Sequence, residues 1–337
     1  MSAETDRAPL ATEEAIIQGY LAPLAAGAPG AFGLKDDCAV IAPSPGCELV
    51  LKTDAIAAGV HFLPDDSPVD IGWKALAVNV SDLAAKGARP LGYLMSLSFP
   101  GPPTRDWMAA FASGLAEAQA AFGIHLLGGD TDRRPGPLSI TPFVMGEVPS
   151  GRMVRRTAAQ AGDVVCVSGT LGEAGLGLRL RQRPELAGTW ALDAQAAAAL
   201  VRRFLRPRAR LALAPAVLAH ARASMDVSDG VMKDLGRMCR ASGVGAVIEH
   251  DLLPLSDTSR RVRERDAAAH AATLFAGDDY EILTAVPPEQ LDAFVLAAAV
   301  AGVPVTRIGR FTEGSALLMV DTSGTPMPLG PSGWDHF

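Results

Sequence analysis

The chain has 337 residues, and 30 Lys and Arg against 37 Asp and Glu leave it a net charge of −7, a balance that argues against a nucleic-acid binder. With 49% hydrophobic and 20% charged residues it can bury sizeable cores, so intrinsic disorder is excluded. The length suggests two domains. The four cysteines, Cys38, Cys47, Cys166 and Cys239, contain no C-x-x-C pair, which speaks against zinc, iron–sulfur and thioredoxin chemistry and fits a reducing compartment. Met1 to Glu14 is acidic, without the basic and apolar regions of a signal peptide, and the longest apolar run, Ala293–Val303, falls short of the ~20 residues that span a bilayer. The expectation is a cytoplasmic protein with no membrane partner.

In chain order, Leu49–Leu51 reads as a strand, Ile71–Lys86 as a helix, Leu94–Phe99 as a strand, Trp107–Phe122 as a helix and Ile124–Leu127 as a strand. Pro100, Gly101, Pro102 and Pro103 break the chain ahead of Thr104, which suits a helix N-cap. After Pro149-Ser150-Gly151 a second alternating series begins: strand Asp163–Ser168, helix Ala191–Phe204, helix Val231–Ser242 and strand Val244–Glu249. The pattern predicts an α/β protein (α+β type) with one domain over 1–150 and another over 151–337.

No Gly-Lys dipeptide occurs, so there is no P-loop, and the protein-kinase H-R-D and D-F-G signatures are missing. The Gly-rich stretch 169–177 departs from dinucleotide spacing and reads equally well as a plain strand-to-helix turn. More telling are aspartates expected in loops just after apolar strands: Asp36-Asp37, Thr53-Asp54, Asp130, and Asp226 with Asp229. One such aspartate is more often a turn or cap residue. Their recurrence, with no histidine beside them and Cys38 the one neighbouring thiol, suits a hard cation such as Mg²⁺ that keeps waters and completes its shell with phosphates. Carboxylates gathered without a cation would repel one another. The implied ligand is a metal-bound polyphosphate. In the helix Ile71–Lys86, residues Trp73, Leu76, Ala77, Val80 and Leu83 share one face, while Asn79, Asp82 and Lys86 lie together on the other.

The motifs Asp36-Asp37-Cys38-Ala39-Val40, Thr53-Asp54, Gly59-Val60-His61-Phe62, Asn79-Val80-Ser81-Asp82, Gly128-Gly129-Asp130, Met225-Asp226-Val227-Ser228-Asp229-Gly230, Gly277-Asp278-Asp279-Tyr280-Glu281 and Gly333-Trp334-Asp335-His336-Phe337, in this order, resemble the thiamine-monophosphate kinases. That family shares a superfamily with aminoimidazole-ribonucleotide synthetase, selenophosphate synthetase and the hydrogenase maturation factor HypE. The resemblance implies a two-domain fold of that superfamily, a homodimer, several Mg²⁺ ions, and ATP as co-substrate in the phosphorylation of thiamine monophosphate to thiamine diphosphate. It implies metal ligands at Asp37, Thr53, Asp54, Asp82, Asp130, Asp226 and Asp229. It further implies nucleotide contacts at Gly129, Asp130, Arg156 and Ser228, and thiamine phosphate contacts at His61, Asp278 and Trp334. Most of the metal-binding aspartates then fall in the N-terminal domain, and the C-terminal domain completes the sites.

The chain departs from the family pattern at four places. Lys52 stands where a hydroxyl residue usually helps bind one metal, Asp278 replaces a glutamate, Lys35 a glycine, and Ala112 an aromatic nucleotide contact. Among the alternatives, selenophosphate synthetase lacks its reactive cysteine here and a HypE-like partner lacks its C-terminal cysteine. An aminoimidazole-ribonucleotide synthetase stays compatible with the fold but is disfavoured by Gly59–Phe62 and Gly333–Phe337. The acceptor is already anionic near neutral pH, so no residue is assigned as a catalytic general base.

Overall fold

A computed structural model describes residues 9–10 and 12–328. The chain divides into two compact units, Met1–Leu83 with Arg89–Gly151, and Ala84–Ala88 with Arg152–Phe337.

The first unit is built on strands β1 (Cys47–Thr53), β2 (Ile56–Ala57), β3 (Arg89–Phe99), β4 (His125–Arg133) and β5 (Ser139–Pro149), in the order β1-β5-β3-β4 with β2 also pairing β5. Helices α1 (Pro68–Ala85) and α2 (Arg105–Phe122) accompany them. Helix α2 starts where the proline run ends: the Thr104 hydroxyl accepts a hydrogen bond from Trp107 N–H at 3.2 Å, satisfying one of the donors a helix start leaves without partners. It stops at Gly123, whose left-handed conformation closes the last turn. Pairing register sorts the sheet residues by face, because directly opposed side chains project to the same side. One face carries the rows Leu51–Met145–Gly92, Thr53–Phe143–Leu94 and Thr141–Ser96–Asp130. The other carries Val50, Lys52, Val144 and Tyr93, of which Val50, Val144 and Tyr93 are buried.

Helix α1 is more deeply buried than a half-solvated amphipathic pattern suggests: Lys74, Asn79 and Ser81 are buried along with its apolar residues. On the polar side Asn79 is buried while Asp82 and Lys86 are half-buried, and a buried amide such as that of Asn79 costs free energy unless it is paired.

In the second unit the elements are β6 (Val164–Ser168), α3 (Glu173–Gln182), α4 (Ala194–Leu205), α5 (Ala214–His220), β7 (Ala223–Val227), α6 (Val231–Ser242), β8 (Gly245–Glu249), α7 (Asp257–Arg265), α8 (Ala267–Leu274), β9 (Glu281–Val286), α9 (Leu291–Val300), β10 (Val305–Thr312), β11 (Leu317–Val320) and β12 (Pro326–Met327). The sheet order is β12-β11-β8-β10-β6-β9-β7. Val165, Val167, Met225, Val227, Leu235, Ile248, Leu283 and Ile308 pack into one of its cores. Helix α4 begins later than the alanine pattern predicts, because the Asp193 carboxylate accepts from Ala196 N–H at 2.7 Å and fixes the N-cap there. The Gly-rich stretch is a strand-to-helix turn, running from the end of β6 into α3.

Two aspartates expected in loops lie within strands instead. Asp130 is inside β4, which runs on to Arg133 because it pairs with β3, Ser96 facing Asp130. Asp226 is inside β7, opposite Ile282 of β9. In both cases strand pairing continues past the apolar run that made the strand visible in the sequence.

Candidate active site

Strand β1 delivers Lys52, Thr53 and Asp54 to the end of the first sheet. Asp54 N–H donates to Asn79 Oδ1 at 2.7 Å, and Asn79 Nδ2 donates to Asp54 O at 3.1 Å. Asn79 is fully buried on α1 and also donates to Ala75 O in its own helix, so the amide joins the turn after β1 to α1 through its carbonyl and both N–H donors. The side chains converge as well. Lys52 Nζ lies 2.9 Å from Asp54 Oδ2 and 2.9 Å from Asp82 Oδ2. Burial alone would lower the Lys52 pKa, yet Asp82 and then Asp54 outweigh it and hold the ammonium above the ordinary lysine range. Thr53 turns to the opposite face of the sheet, where its hydroxyl donates to Pro142 O at 2.9 Å.

On that opposite face a cleft of about 870 Å³ is lined by Asp36, Asp37, Gly129 and Asp130, together with apolar side chains that include Leu94 and Phe143. Asp37 and Asp130 are exposed there. Gly129 is fixed by the approach of β3, since a Cβ at this position would lie 1.9 Å from Met95 O. His61 sits in the turn after β2, and its Nδ1 accepts from Ala57 N–H at 3.1 Å. That leaves the ring proton on Nε2 in the neutral tautomer.

In the second unit the loop after β7 and the loop before β9 are bound together through their backbones. Asp278 N–H donates to Ser228 O at 2.8 Å, and Tyr280 N–H to Val227 O at 2.8 Å. Gly277 permits the approach, because a Cβ there would lie 2.4 Å from Ser228 O. Asp278 and Tyr280 have φ of 62° and 51°, a conformation costly for residues other than glycine and held here by surrounding contacts. Tyr280 Oη donates to Asp278 Oδ1 at 3.2 Å. The neighbouring Asp279 is buried and receives Gly172 N–H on its carboxylate at 2.9 Å; burial raises its pKa well above the carboxylate range. This ties the Gly-rich turn to the same loop.

Asp234 of α6 organises the other side of this loop pair. Its Oδ2 accepts from the N–H groups of Ser228 and Asp229 at 3.0 and 2.9 Å. Burial pushes its carboxyl up to about 6, opposed by the Asp229 hydrogen bond and Arg237. Arg237 Nη1 contacts Asp234 Oδ1 at 2.8 Å and Asp229 Oδ2 at 2.5 Å, with Lys233 Nζ 3.8 Å from that same Asp229 oxygen. Sequence reasoning missed Asp234 and Arg237. For Arg237 the signal was present, since residues 229, 233 and 237 recur at helical spacing.

The structure thus gathers three groups of the residues singled out from sequence: Asp54 with Asp82; Asp37, Gly129 and Asp130; and Ser228, Asp229 and Asp278. Asp226 lies buried in β7, and Arg156 is exposed ahead of β6, its carbonyl accepting from Ser242 Oγ at 3.0 Å. Trp334 lies outside the described residues. The donors are oxygens throughout, which matches the chemistry of Mg²⁺. Among the described residues, however, no group of three or more His, Cys, Asp or Glu is arranged to hold a metal ion, and the Asp54–Asp82 pair is spanned by an ammonium.

Models of the AIR synthase related protein match this chain at residues 35–148 for the N-terminal domain and 160–320 for the C-terminal domain. The chain is 39% identical to a thiamine-monophosphate kinase of Caulobacter vibrioides, covering 96% of this chain and 91% of the relative. It is 40% identical to that of Escherichia coli K12, covering 91% and 92%. Among solved structures, a thiamine-monophosphate kinase from Stenotrophomonas maltophilia superposes with a TM-score of 0.77 at 40% identity, covering 85% of this chain and 89% of that one. AaThiL complexed with AMPPCP and TMP superposes with a TM-score of 0.76 at 33% identity, covering 91% and 97%. Escherichia coli HypE, 22% identical with a TM-score of 0.75 over 94% of this chain and 97% of that one, shares the fold.

Proposed function

The chain belongs to the AIR synthase related family and, within it, to the thiamine-monophosphate kinases, and from that premise we propose that it transfers a phosphoryl group from ATP to thiamine monophosphate, directly and in line, giving thiamine diphosphate and ADP. The observation that carries this reading is 31–40% identity to thiamine-monophosphate kinases over 86–96% of the chain. The retained aspartate motifs and the complex of AaThiL with AMPPCP and TMP support it.

Magnesium, once bound, would neutralise phosphate charge and orient the reacting groups; the residues to hold it are Asp37, Thr53, Asp54, Asp82, Asp130, Asp226 and Asp229. In the first unit, the Gly129 backbone and Asp130 are assigned to the nucleotide and the His61 Nε2–H to the acceptor. In the second unit, Arg156 and Ser228 are assigned to the nucleotide, Asp278 to thiamine phosphate, and Trp334 to the cationic heteroaromatic ring. Asp278 is one methylene shorter than the family's glutamate, and its left-handed backbone sets where that shorter arm begins. The acceptor oxygen is anionic near neutral pH, so the residues have to position and screen charge rather than remove a proton.

The protein is further read as a cytoplasmic homodimer. All four cysteines are free, in keeping with a reducing compartment, and among the described residues no helix is long and apolar enough to cross a membrane. Leu49, Leu51 and Leu94 are exposed on one face of the first sheet, which supports pairing through that face.

Phosphorus NMR of the protein with ATP, Mg²⁺ and thiamine monophosphate tests the reading. It should show one ADP per thiamine diphosphate and no phosphoprotein. One equivalent of inorganic phosphate per turnover would indicate a synthetase instead, and AMP would indicate pyrophosphoryl transfer.

A further inference from the structure

Asp54 and Asp82 are brought together by different elements, one just past the end of β1 and one on α1, and a single nitrogen touches both at 2.9 Å. Lys52 is not a loose surface lysine reaching for a partner. Its backbone is locked into β1 opposite Val144, it projects to the face where Val144 and Tyr93 are buried, and its side chain is 29% exposed. Asp54 is held in place independently by the buried Asn79 amide. The Asp54–Lys52–Asp82 arrangement is therefore a built one.

A divalent ion bridging two carboxylates directly would draw each oxygen to roughly 2.0–2.1 Å. Here a compact ammonium of single charge fills the intervening space and holds the oxygens farther from their common partner. Mg²⁺ could bridge these oxygens only by displacing an amine from two carboxylates, and any ion beside it would meet a positive neighbour in place of an open dianionic pair.

We propose that Lys52 is a built-in cation that takes the place of one divalent ion between Asp54 and Asp82, so that this chain binds one metal ion fewer than its carboxylates would otherwise hold. The inference rests on the metal-dependent reading above and deepens it. Asp54 and Asp82, each touched by Lys52 at Oδ2 and with side chains 52% and 23% exposed, can still present their other oxygens to ions elsewhere, but the pair is not bridged by metal.

The test counts Mn²⁺ bound per chain, by equilibrium dialysis and by loss of the free-ion EPR signal, with a non-hydrolysable ATP analogue present. Lys52→Thr should bind one Mn²⁺ more than wild type, and Lys52→Arg the same number as wild type. Adding Asp82→Asn to Lys52→Thr should remove the extra ion. Lys52→Gln, which can still hydrogen-bond a carboxylate while lacking charge, serves if the threonine variant folds poorly. Equal counts in wild type and the neutral variants overturn the proposal. Product formation by the wild type is scored separately: its absence defeats the kinase reading, while the counts need only the ion and the nucleotide analogue.

Discussion

Asn79 holds Asp54 by both ends of one amide: its carbonyl accepts the Asp54 N–H at 2.7 Å while its NH₂ donates to the Asp54 carbonyl at 3.1 Å. A fully buried side chain thereby sets the conformation of the residue that carries an exposed carboxylate. Rigid positioning of a charged group is what a site for a polyanionic substrate requires, since the chemistry depends on placement.

Removing that amide leaves Asp54 N–H and C=O without their partner in a part-buried turn and empties a buried position on α1. Asn79→Ala should cost about 2–3 kcal/mol of stability, read as a lower denaturant midpoint with an unchanged slope. It should also impair turnover more than its stability loss explains. A variant with wild-type stability would show that water or a backbone shift replaces the clamp.

The loop at Asp278 makes a second prediction because its backbone is left-handed. Asparagine tolerates this conformation and keeps the Tyr280 hydroxyl as a partner, so Asp278→Asn should change stability by less than about 0.5 kcal/mol while raising the KM for thiamine monophosphate. Valine is β-branched and poorly suited to φ near 62°, so Asp278→Val should cost about 2 kcal/mol or more. Similar stabilities for the two variants would mean that the loop relaxes out of the conformation described.

How much of this could be read in the sequence depends on what kind of signal each residue leaves. Helix α6 is legible to its ends, Val231 and Ser242, because Gly230 and Gly243 bracket an amphipathic run. Thr104 was legible as a cap for a similar, local reason. The strand positions of Asp130 and Asp226 were not, since pairing with a distant strand extends β4 and β7 through residues that look like turn formers. Asp234 escaped notice because a carboxylate on a helix normally reads as a solvated one. Its role comes from backbone donors five and six residues earlier that only the folded loop brings within reach. The Lys52 bridge joins two elements thirty residues apart in sequence, and the sequence marks the lysine as unusual without saying which carboxylates it meets.

His61 should separate the two substrates kinetically. Its Nδ1 is occupied by Ala57 N–H, so the group it can offer a ligand is the Nε2–H. His61→Ala then removes one hydrogen bond to the acceptor, worth about tenfold in KM for thiamine monophosphate, with little change in KM for ATP. Equal effects on both substrates, measured by varying each at saturation of the other, would refute the assignment to the acceptor.

The pH dependence of stability should carry the mark of His270, on α8. It is buried, and burial, reinforced by Arg263 and His250, lowers its pKa from 6.5 to about 4. Between those two values the unfolded chain binds a proton that the folded chain refuses, so stability rises with pH through this window. The contribution is fully present above the unfolded value near 6.5 and is lost as pH falls toward about 4; its size is on the order of 2 kcal/mol. His270→Gln keeps a hydrogen-bonding side chain that never takes up a proton. Denaturant midpoints measured at pH 7.5, 6 and 5 should therefore fall less steeply for this variant than for the wild type, even if it starts lower at pH 7.5 from imperfect packing. Parallel curves for the two proteins would show that His270 takes up its proton as readily in the folded chain as in the unfolded one, and that the acid sensitivity has another source.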